Sequence, residues 1–373
     1  MKVEEFLSVI KADFYTGVPD SLLRSLNDYL MERFGENPQH HIIAANEGNA
    51  AAIAAGYHLA TGMVPVVYLQ NSGEGIIINP LTSLLRPEVC GIPVIFIIGW
   101  RGEPGIPDEP QHKFQGMVTD SLLAALSVRY LIVDKQMTIS DFVSQWRILQ
   151  EELGQGKPVG VIIRKGGLES ASKLTYKNKM SLRREEILET ILQAAGEDVF
   201  VSTTGKASRE LFELREKRQE THKHDFLTVG AMGHSSSIAL GIALQRPDKR
   251  VWCIDGDGAA LMHLGSWAVI GKLKPENYIH VLINNGAHES VGGLPTAAGQ
   301  VDFSAVAKAF GYNWFQSATY RQQLCECLEK LQKVKGPAML EIKCAIGSRS
   351  DLGRPTLSPQ QIKQEFMDYI SNG

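Results

Sequence analysis

What this sequence lacks narrows it before any motif does. No block of lysine and arginine runs along it: 38 basic and 41 acidic residues nearly balance, at a formal net charge of -3. That excludes an extended electrostatic footprint for nucleic acid, while leaving room for a few local cations around a small anion. Cysteine is scarce, and the five present (Cys90, Cys253, Cys325, Cys327 and Cys344) form an odd set without a CxxC pair. A disulfide framework or cysteine zinc site is thereby disfavoured against free, mostly buried thiols in a reducing compartment. Long apolar runs are missing too. The longest, such as Ile92–Trp100, fall far short of the roughly 20 residues that span a bilayer. The opening MKVEEFLSVIKADF reads as an amphipathic helix carrying acids, neither a signal nor a transit peptide. The expectation is a soluble cytoplasmic protein without nucleic-acid or membrane partners.

What is there alternates. At 373 residues the chain has room for two domains, each with its own core. Short β-rich runs, HHIIAA (40–45), VPVVYLQ (64–70), IPVIFIIGW (92–100), RYLIVD (129–134) and PVGVIIR (158–164), are separated by helical stretches such as 48–61 and 140–153. The second half repeats the plan with VFVSTTG (199–205), FLTVGA (226–231), RVWCIDGDG (250–258), YIHVLINN (278–285) and AMLEIKC (338–344), separated by helical patterns such as 181–195 and 322–335. Continuous rather than alternating apolar runs indicate strands covered on both faces, as in parallel sheets. The run Lys165–Lys179 turns polar and aperiodic. We therefore expect an α/β chain of two doubly wound parallel-sheet domains, 1–168 and 181–373, joined by a linker at 169–180. No repeat between the halves is visible at the sequence level.

In such sheets ligands bind beyond the carboxyl ends of the strands, so the residues there carry the function. One strand ends in Gly256-Asp257-Gly258, and the next ends in Asn284-Asn285. A carboxylate and a carboxamide oxygen suit Mg²⁺, which keeps water and takes further oxygens from phosphate. The glycines let the backbone turn and approach a diphosphate. GDG alone is a weak signal, usually only a glycine turn; followed one βα unit later by NN, it is far more specific.

This pattern resembles the diphosphate-binding domain of thiamine-diphosphate (ThDP) enzymes. The resemblance implies Asp257, Asn285 and the Ala287 carbonyl as Mg²⁺ ligands. It makes the first half a pyrimidine-binding domain, which must supply a glutamate at a strand end. HIIAANEGNAAAIAAGYHLA offers Glu47 there. By itself Glu47 reads as an acid favouring a helix dipole; with GDG…NN, the catalytic reading gains. Gly230-Ala231-Met232-Gly233 matches the segment that cradles the cofactor's bend, with Met232 as apolar support and the Gly230 carbonyl near the amino group. A methionine there otherwise reads as core filler. Thr204 and Gly205 in TTGKASRELFE join the cofactor-binding set.

TGVPDSLL, AANEGNA, YLQNSGEG, GWRGEPG, DEPQH, TTGKASRELFE, NNGAHESVGG and RSDLGRPT together resemble the phosphonopyruvate decarboxylase family. No middle domain fits in this length, unlike the larger ThDP decarboxylases. Sulfopyruvate decarboxylases, similar in layout, are the nearest rival. The resemblance implies decarboxylation of phosphonopyruvate to phosphonoacetaldehyde in phosphonate biosynthesis, by a homo-oligomer with active sites between subunits. Asp20, His112 and, less strongly, His288 are candidates for proton transfer. Asp20 equally reads as the cap of a helix beginning at Ser21, and His112 as an idle histidine on a polar loop. Cations for the substrate come from Arg101, Lys113, Lys206, Arg209, Arg349 and Arg354, any one of which also reads as a solvated surface charge. RSDLGRPT reads as a C-terminal lid. A non-catalytic relative would be expected to lose Glu47 or the metal residues. An oxidoreductase half is disfavoured by the lack of an Fe–S cysteine cluster, and a carboligase stays open.

Overall fold

The computed structural model describes residues 1–372, and the chain divides into two compact units at Thr175–Tyr176. In the first unit β1 (Tyr15–Gly17), β2 (His41–Ile43), β3 (Val66–Gln70), β4 (Ile95–Gly99), β5 (Arg129–Val133) and β6 (Val159–Ile163) form one sheet. Its order is β2-β1-β3-β4-β6-β5, and every pairing is parallel. All five residues of β4 are buried. Ile95 and Ile97 point into one apolar cluster, Phe96 and Ile98 into another on the opposite face. This two-sided burial is why the strand reads as an unbroken apolar run.

The second unit holds β7 (Val199–Ser202), β8 (Asp225–Leu227), β9 (Val251–Gly256), β10 (Tyr278–Asn284), a two-residue hairpin of β11 (Ala287–His288) and β12 (Leu294–Pro295), then β13 (Trp314–Ala318) and β14 (Ala338–Lys343). The main sheet runs β13-β14-β10-β9-β7-β8, again all parallel. Ranked along the chain, its six strands lie in the order second-first-third-fourth-sixth-fifth, as in the first unit. The repeat that the sequence conceals is one of topology. Both units are doubly wound, as expected.

Local departures have physical reasons. Strand β13 escapes a search for apolar runs because it is an edge strand, with Gln316 and Ser317 exposed. The helix after Asp20 begins at Arg24, not Ser21. His112 lies in the first turn of a helix, Pro110–Ala125, rather than on a loop. Of the free cysteines, Cys253, Cys327 and Cys344 are buried and Cys90 and Cys325 exposed. Among the described residues no helix is long and apolar enough to cross a membrane.

Two features of the first unit set its strand ends. The helix Glu47–Thr61 starts where the Asn46 side chain accepts from Asn49 N–H at 2.8 Å. Its buried alanines (Ala50, Ala51, Ala54, Ala55) let it lie close on the sheet. The helix Pro110–Ala125 is seamed to the ends of β3 and β4 through polar groups. Asn71 Nδ2 donates to Arg101 O (2.8 Å) and Thr119 Oγ1 (2.9 Å), and Gln115 Nε2 donates to Asn71 O (2.8 Å) and to Glu74 Oε2 (3.3 Å). Gly116 permits this approach, since a Cβ there would lie 1.8 Å from Gly102 O.

Glu74 is fully buried in this seam, and burial pushes its carboxyl up from 4.5 to about 8. The unfolded chain gives up this proton near pH 4.5, whereas the folded chain keeps it until about pH 8. Stability therefore falls as pH rises between those values, by up to about 1.4 kcal/mol per pH unit from this group, and levels off above. In Glu74→Gln, a neutral isostere, this slope disappears. Urea midpoints from pH 5 to 8.5 are expected to diverge in the variant's favour as pH rises; parallel curves would show that Glu74 is ionised in the fold.

Candidate active site

In the second unit the chain leaves β7 for β8 on one side and returns as β9 on the other. The reversal opens a crevice between the carboxyl ends of β7 and β9. A cavity of about 650 Å³, open mouth included, lies there. On its β7 side, Thr203, Thr204 and Gly205 lead into the helix Lys206–Lys217. Gly205 has φ +86°, a backbone that favours glycine. A helix N-terminus behind a glycine turn presents unpaired N–H groups to an anion.

On the β9 side, Gly256-Asp257-Gly258 line the same cavity. The turn is held from below. Gly256 N–H donates to Asp255 Oδ1 (2.9 Å), Asp255 Oδ2 lies 3.3 Å from His280 Nε2, and His280 Nδ1 lies 3.0 Å from Tyr312 Oη. Asp257 itself is 3% exposed, and its one side-chain partner is the Thr296 hydroxyl, which donates to Oδ2. Burial pushes its carboxyl up to about 6. Gly258 leaves space for its neighbours, for a Cβ there would lie 3.3 Å from the His288 ring.

The two asparagines that end β10 divide their labour. Asn284 turns inward, donating from Nδ2 to Glu341 Oε1 at 2.9 Å. Asn285 lines the cavity; its Nδ2 donates to Glu289 Oε2 (2.9 Å) and its Oδ1 accepts from Ala287 N–H (3.0 Å). Asp257, Asn285 and Ala287 thus line the cavity from its β9 and β10 side, with the Thr204–Gly205 turn on its β7 side. Hard oxygen donors beside an anion cradle fit Mg²⁺ with a diphosphate, and a buried carboxylate met by one hydroxyl and backbone N–H groups is short of positive charge. Met232 reaches the cavity from the segment after β8, where Ala231 is held at φ +54°, a strained backbone for a residue with a Cβ. Gly230 is not part of the cavity wall. His288 is buried, and burial pushes its imidazole down to about 4, so it stands neutral near pH 7.

The first unit has its own switch point, between β1 and β3. Asp20, just past β1, is fully buried; Oδ2 accepts from Leu22 N–H (3.0 Å) and Leu23 N–H (3.2 Å), and Oδ1 from Gln70 Nε2 at the end of β3. Capping is therefore part of its role, on the turn that precedes the helix. Its carboxyl is raised, chiefly by burial. Glu47, at the start of its helix, packs against the turn after β3. A Cβ on Gly73 would lie 2.5 Å from the Glu47 carboxyl, so a side chain there would push the carboxyl from its place. Glu47 Oε2 is buried without a hydrogen-bond partner, and burial raises its carboxyl as well. His112 is half-buried and held low, first by burial and then by the nearby Arg101.

The expected substrate cations are mostly engaged. Arg101 donates from Nε and Nη2 to Asp108, and Lys206 Nζ lies 3.1 Å from Glu289 Oε1. Arg349 is ion-paired with Glu185, Glu213 and Asp351, and Arg209 donates to the Leu352 and Gly353 carbonyls. These contacts tie the RSDLGRPT loop to its own unit. Lys113 and Arg354 are exposed. Only Lys206 of the expected substrate cations lines the cavity, and it is joined there by Arg184, which sequence reasoning missed. Arg184 opens the helix Arg184–Ala195 and is bidentate to Glu210 at 2.7 and 2.8 Å. No spacing in the sequence links residues 184, 210 and 289.

Comparison with known proteins follows the same division. The family described as "Thiamine pyrophosphate enzyme, N-terminal TPP binding domain" matches residues 3–123, and its C-terminal TPP binding counterpart matches residues 203–342. Thiamine pyrophosphate is another name for ThDP. A phosphonopyruvate decarboxylase from Streptomyces viridochromogenes is 35% identical over 371 residues, covering 95% of this chain and 90% of the relative. Another from Streptomyces hygroscopicus is 34% identical with the same coverage. A sulfopyruvate decarboxylase from Methanosarcina acetivorans is 25% identical over 99% of this chain and 97% of the relative. The chain belongs to the phosphonopyruvate decarboxylase family of ThDP-dependent enzymes.

Proposed function

We propose that this chain decarboxylates 3-phosphonopyruvate to phosphonoacetaldehyde and CO₂, using ThDP and Mg²⁺, in phosphonate biosynthesis in the cytoplasm. The observation that carries the reading is the cavity at the β7–β9 crevice, which Asp257, Asn285 and the Thr204–Gly205 turn line together. Asp257, Asn285 and the Ala287 carbonyl would hold Mg²⁺, while the N–H groups beyond Gly205 meet the diphosphate. Met232 would support the cofactor's bend. Bound ThDP supplies the electron sink for the pair left behind when the carboxylate departs as CO₂.

The chain's own part is to bind, orient and move protons. Glu47, with a buried oxygen that has no partner, would hold a proton against the cofactor's pyrimidine ring, and burial favours its protonated form. By the family resemblance, Glu47 of one subunit would meet the cavity of another, and the active form would be a homo-oligomer. Asp20 and His112 would exchange protons at the reacting carbon. Arg354, with Lys206 or Arg101, would meet the phosphonate.

Three outcomes follow. In Asp257→Ala, calorimetric ThDP binding with Mg²⁺ present should fall below detection while the far-UV spectrum stays unchanged; wild-type affinity would remove Asp257 from the metal site. Glu47→Gln should fold and bind ThDP within a few-fold of wild type. It should lose at least about 10²-fold in decarboxylation, the scale of acid–base catalysis, along with C2 proton exchange by NMR. Near-normal exchange would take Glu47 out of this role. Substrate choice turns on charge, because a fully ionised phosphonate carries two negative charges and a sulfonate one. A charge-assisted hydrogen bond contributes about 1.5–3 kcal/mol, so Arg354→Ala should raise KM for phosphonopyruvate at least about tenfold and leave ThDP affinity unchanged. Equal losses on phosphonopyruvate, sulfopyruvate and pyruvate would make the loop structural.

A further inference from the structure

Asn285 can serve a cation only through the oxygen of its carboxamide. Rotated by half a turn, the same side chain would offer an NH₂ group to the metal and repel it. Something must decide between the two orientations. Oδ1 accepts from Ala287 N–H at 3.0 Å and keeps a second lone pair for the cavity, while Nδ2 donates to Glu289 Oε2 at 2.9 Å. A carboxylate only accepts. The rotated amide would set Oδ1 against Glu289 Oε2 and Nδ2 against Ala287 N–H, two like-with-like contacts in a buried place.

Glu289 is itself fixed. Its side chain is 8% exposed and receives Arg184 Nη1 (3.0 Å), Arg184 Nη2 (3.2 Å) and Lys206 Nζ (3.1 Å). Arg184 is locked in turn by the bidentate pair with Glu210. Two cations and two carboxylates balance, which makes the burial of Arg184, Glu210 and Glu289 beside the half-buried Lys206 tolerable. Glu210 and Glu289 share Arg184, and it is Glu289 that meets Asn285. We infer that Glu289 is a positioning residue for the metal site: it turns the Asn285 carboxamide so that oxygen, not nitrogen, faces the cation.

This inference rests on the reading of Asn285 as a Mg²⁺ ligand, and the test separates the two. Partners that orient a metal ligand typically account for 10- to 100-fold in metal affinity. The full-length enzyme is titrated with Mg²⁺ at fixed ThDP by calorimetry, for wild type, Glu289→Gln and Glu210→Gln. The two variants lose the same charge from the same arginine, and both are expected to lower Tm. Only Glu289→Gln should raise the Mg²⁺ Kd, by 10- to 100-fold, and its kcat should return at saturating Mg²⁺. A purely structural role would not be rescued by metal. Because Glu289→Gln half-unpairs a buried arginine, a second variant guards against misfolding. The double change Asn285→Asp with Glu289→Gln exchanges donor and acceptor and keeps oxygens toward the cavity, so it should bind Mg²⁺ more tightly than Asn285→Asp alone. A wild-type enzyme whose ThDP binding ignores Mg²⁺ overturns both the metal reading and the inference. A Mg²⁺-dependent wild type in which Glu289→Gln and Glu210→Gln shift Kd alike, or a double variant no better than Asn285→Asp, overturns the inference alone.

Discussion

A carboxylate taken out of water must be met by a cation, by donors or by a proton, and the strand ends of both units are arranged around that demand. Asp225 is met by two N–H groups of Arg215, both at 2.9 Å. Glu210 and Glu289 share Arg184. Asp20 collects two backbone N–H groups and Gln70. Against that background several acids are incompletely met: Glu47 Oε2, Glu74 Oε1 and Asp28 Oδ1 are buried without a partner, and the one side chain that meets Asp257 is the Thr296 hydroxyl. A fold tolerates such groups where something bound completes them. Asp257 and Glu47 are the two of these proposed to meet the cation and the cofactor's pyrimidine ring, whereas Glu74 keeps a proton instead.

The same topology brings each of these acids to a crevice. In a parallel sheet all strands end on one edge, so the chain must place its functional residues there. The crevice opens wherever strand order reverses. Both units reverse between their first and third strands. The first uses its crevice to bring Asp20 against Gln70, and the second opens a cavity beside Asp257. Two copies of one architecture thus carry different chemistry through a few loop residues, while their cores do the same packing work.

How much of this could be read from the chain depended on distance along it. GDG, NN, GAMG and the Glu47 helix start are local patterns in which each residue's neighbours explain its presence, and the continuous apolar runs report two-sided burial directly. What stayed hidden is non-local. Arg184, Glu210 and Glu289 meet only because helix, helix and hairpin converge, and each alone reads as a surface charge. Nothing local in the sequence marks Glu74 as buried, because Gln115, which helps to seal it in, lies 41 residues away. His112 reads as a histidine on a polar loop, yet Pro110 stands at the first position of a helix, where proline starts one. Strand β13, half-exposed at an edge, carries no continuous apolar signal.

Substrate charge poses a physical question that the ion pairs sharpen. Arg349 is shared among three carboxylates, Arg101 is held by Asp108, and Lys206 by Glu289. An arriving anion gains little from a guanidinium already neutralised, unless it displaces the carboxylate that neutralises it. Such an exchange is nearly even for a singly charged sulfonate, which offers the arginine about what the carboxylate did. A doubly charged phosphonate gains by the difference, and the gain is larger in a cavity closed to water. Selectivity between these substrates can therefore arise from pre-paired cations more sharply than from solvated ones, because the resident carboxylate sets a threshold that one charge does not clear. Gly347, at φ +124°, and Gly353 flank Arg349 in its loop, and a glycine-rich segment is where such an exchange strains the backbone least.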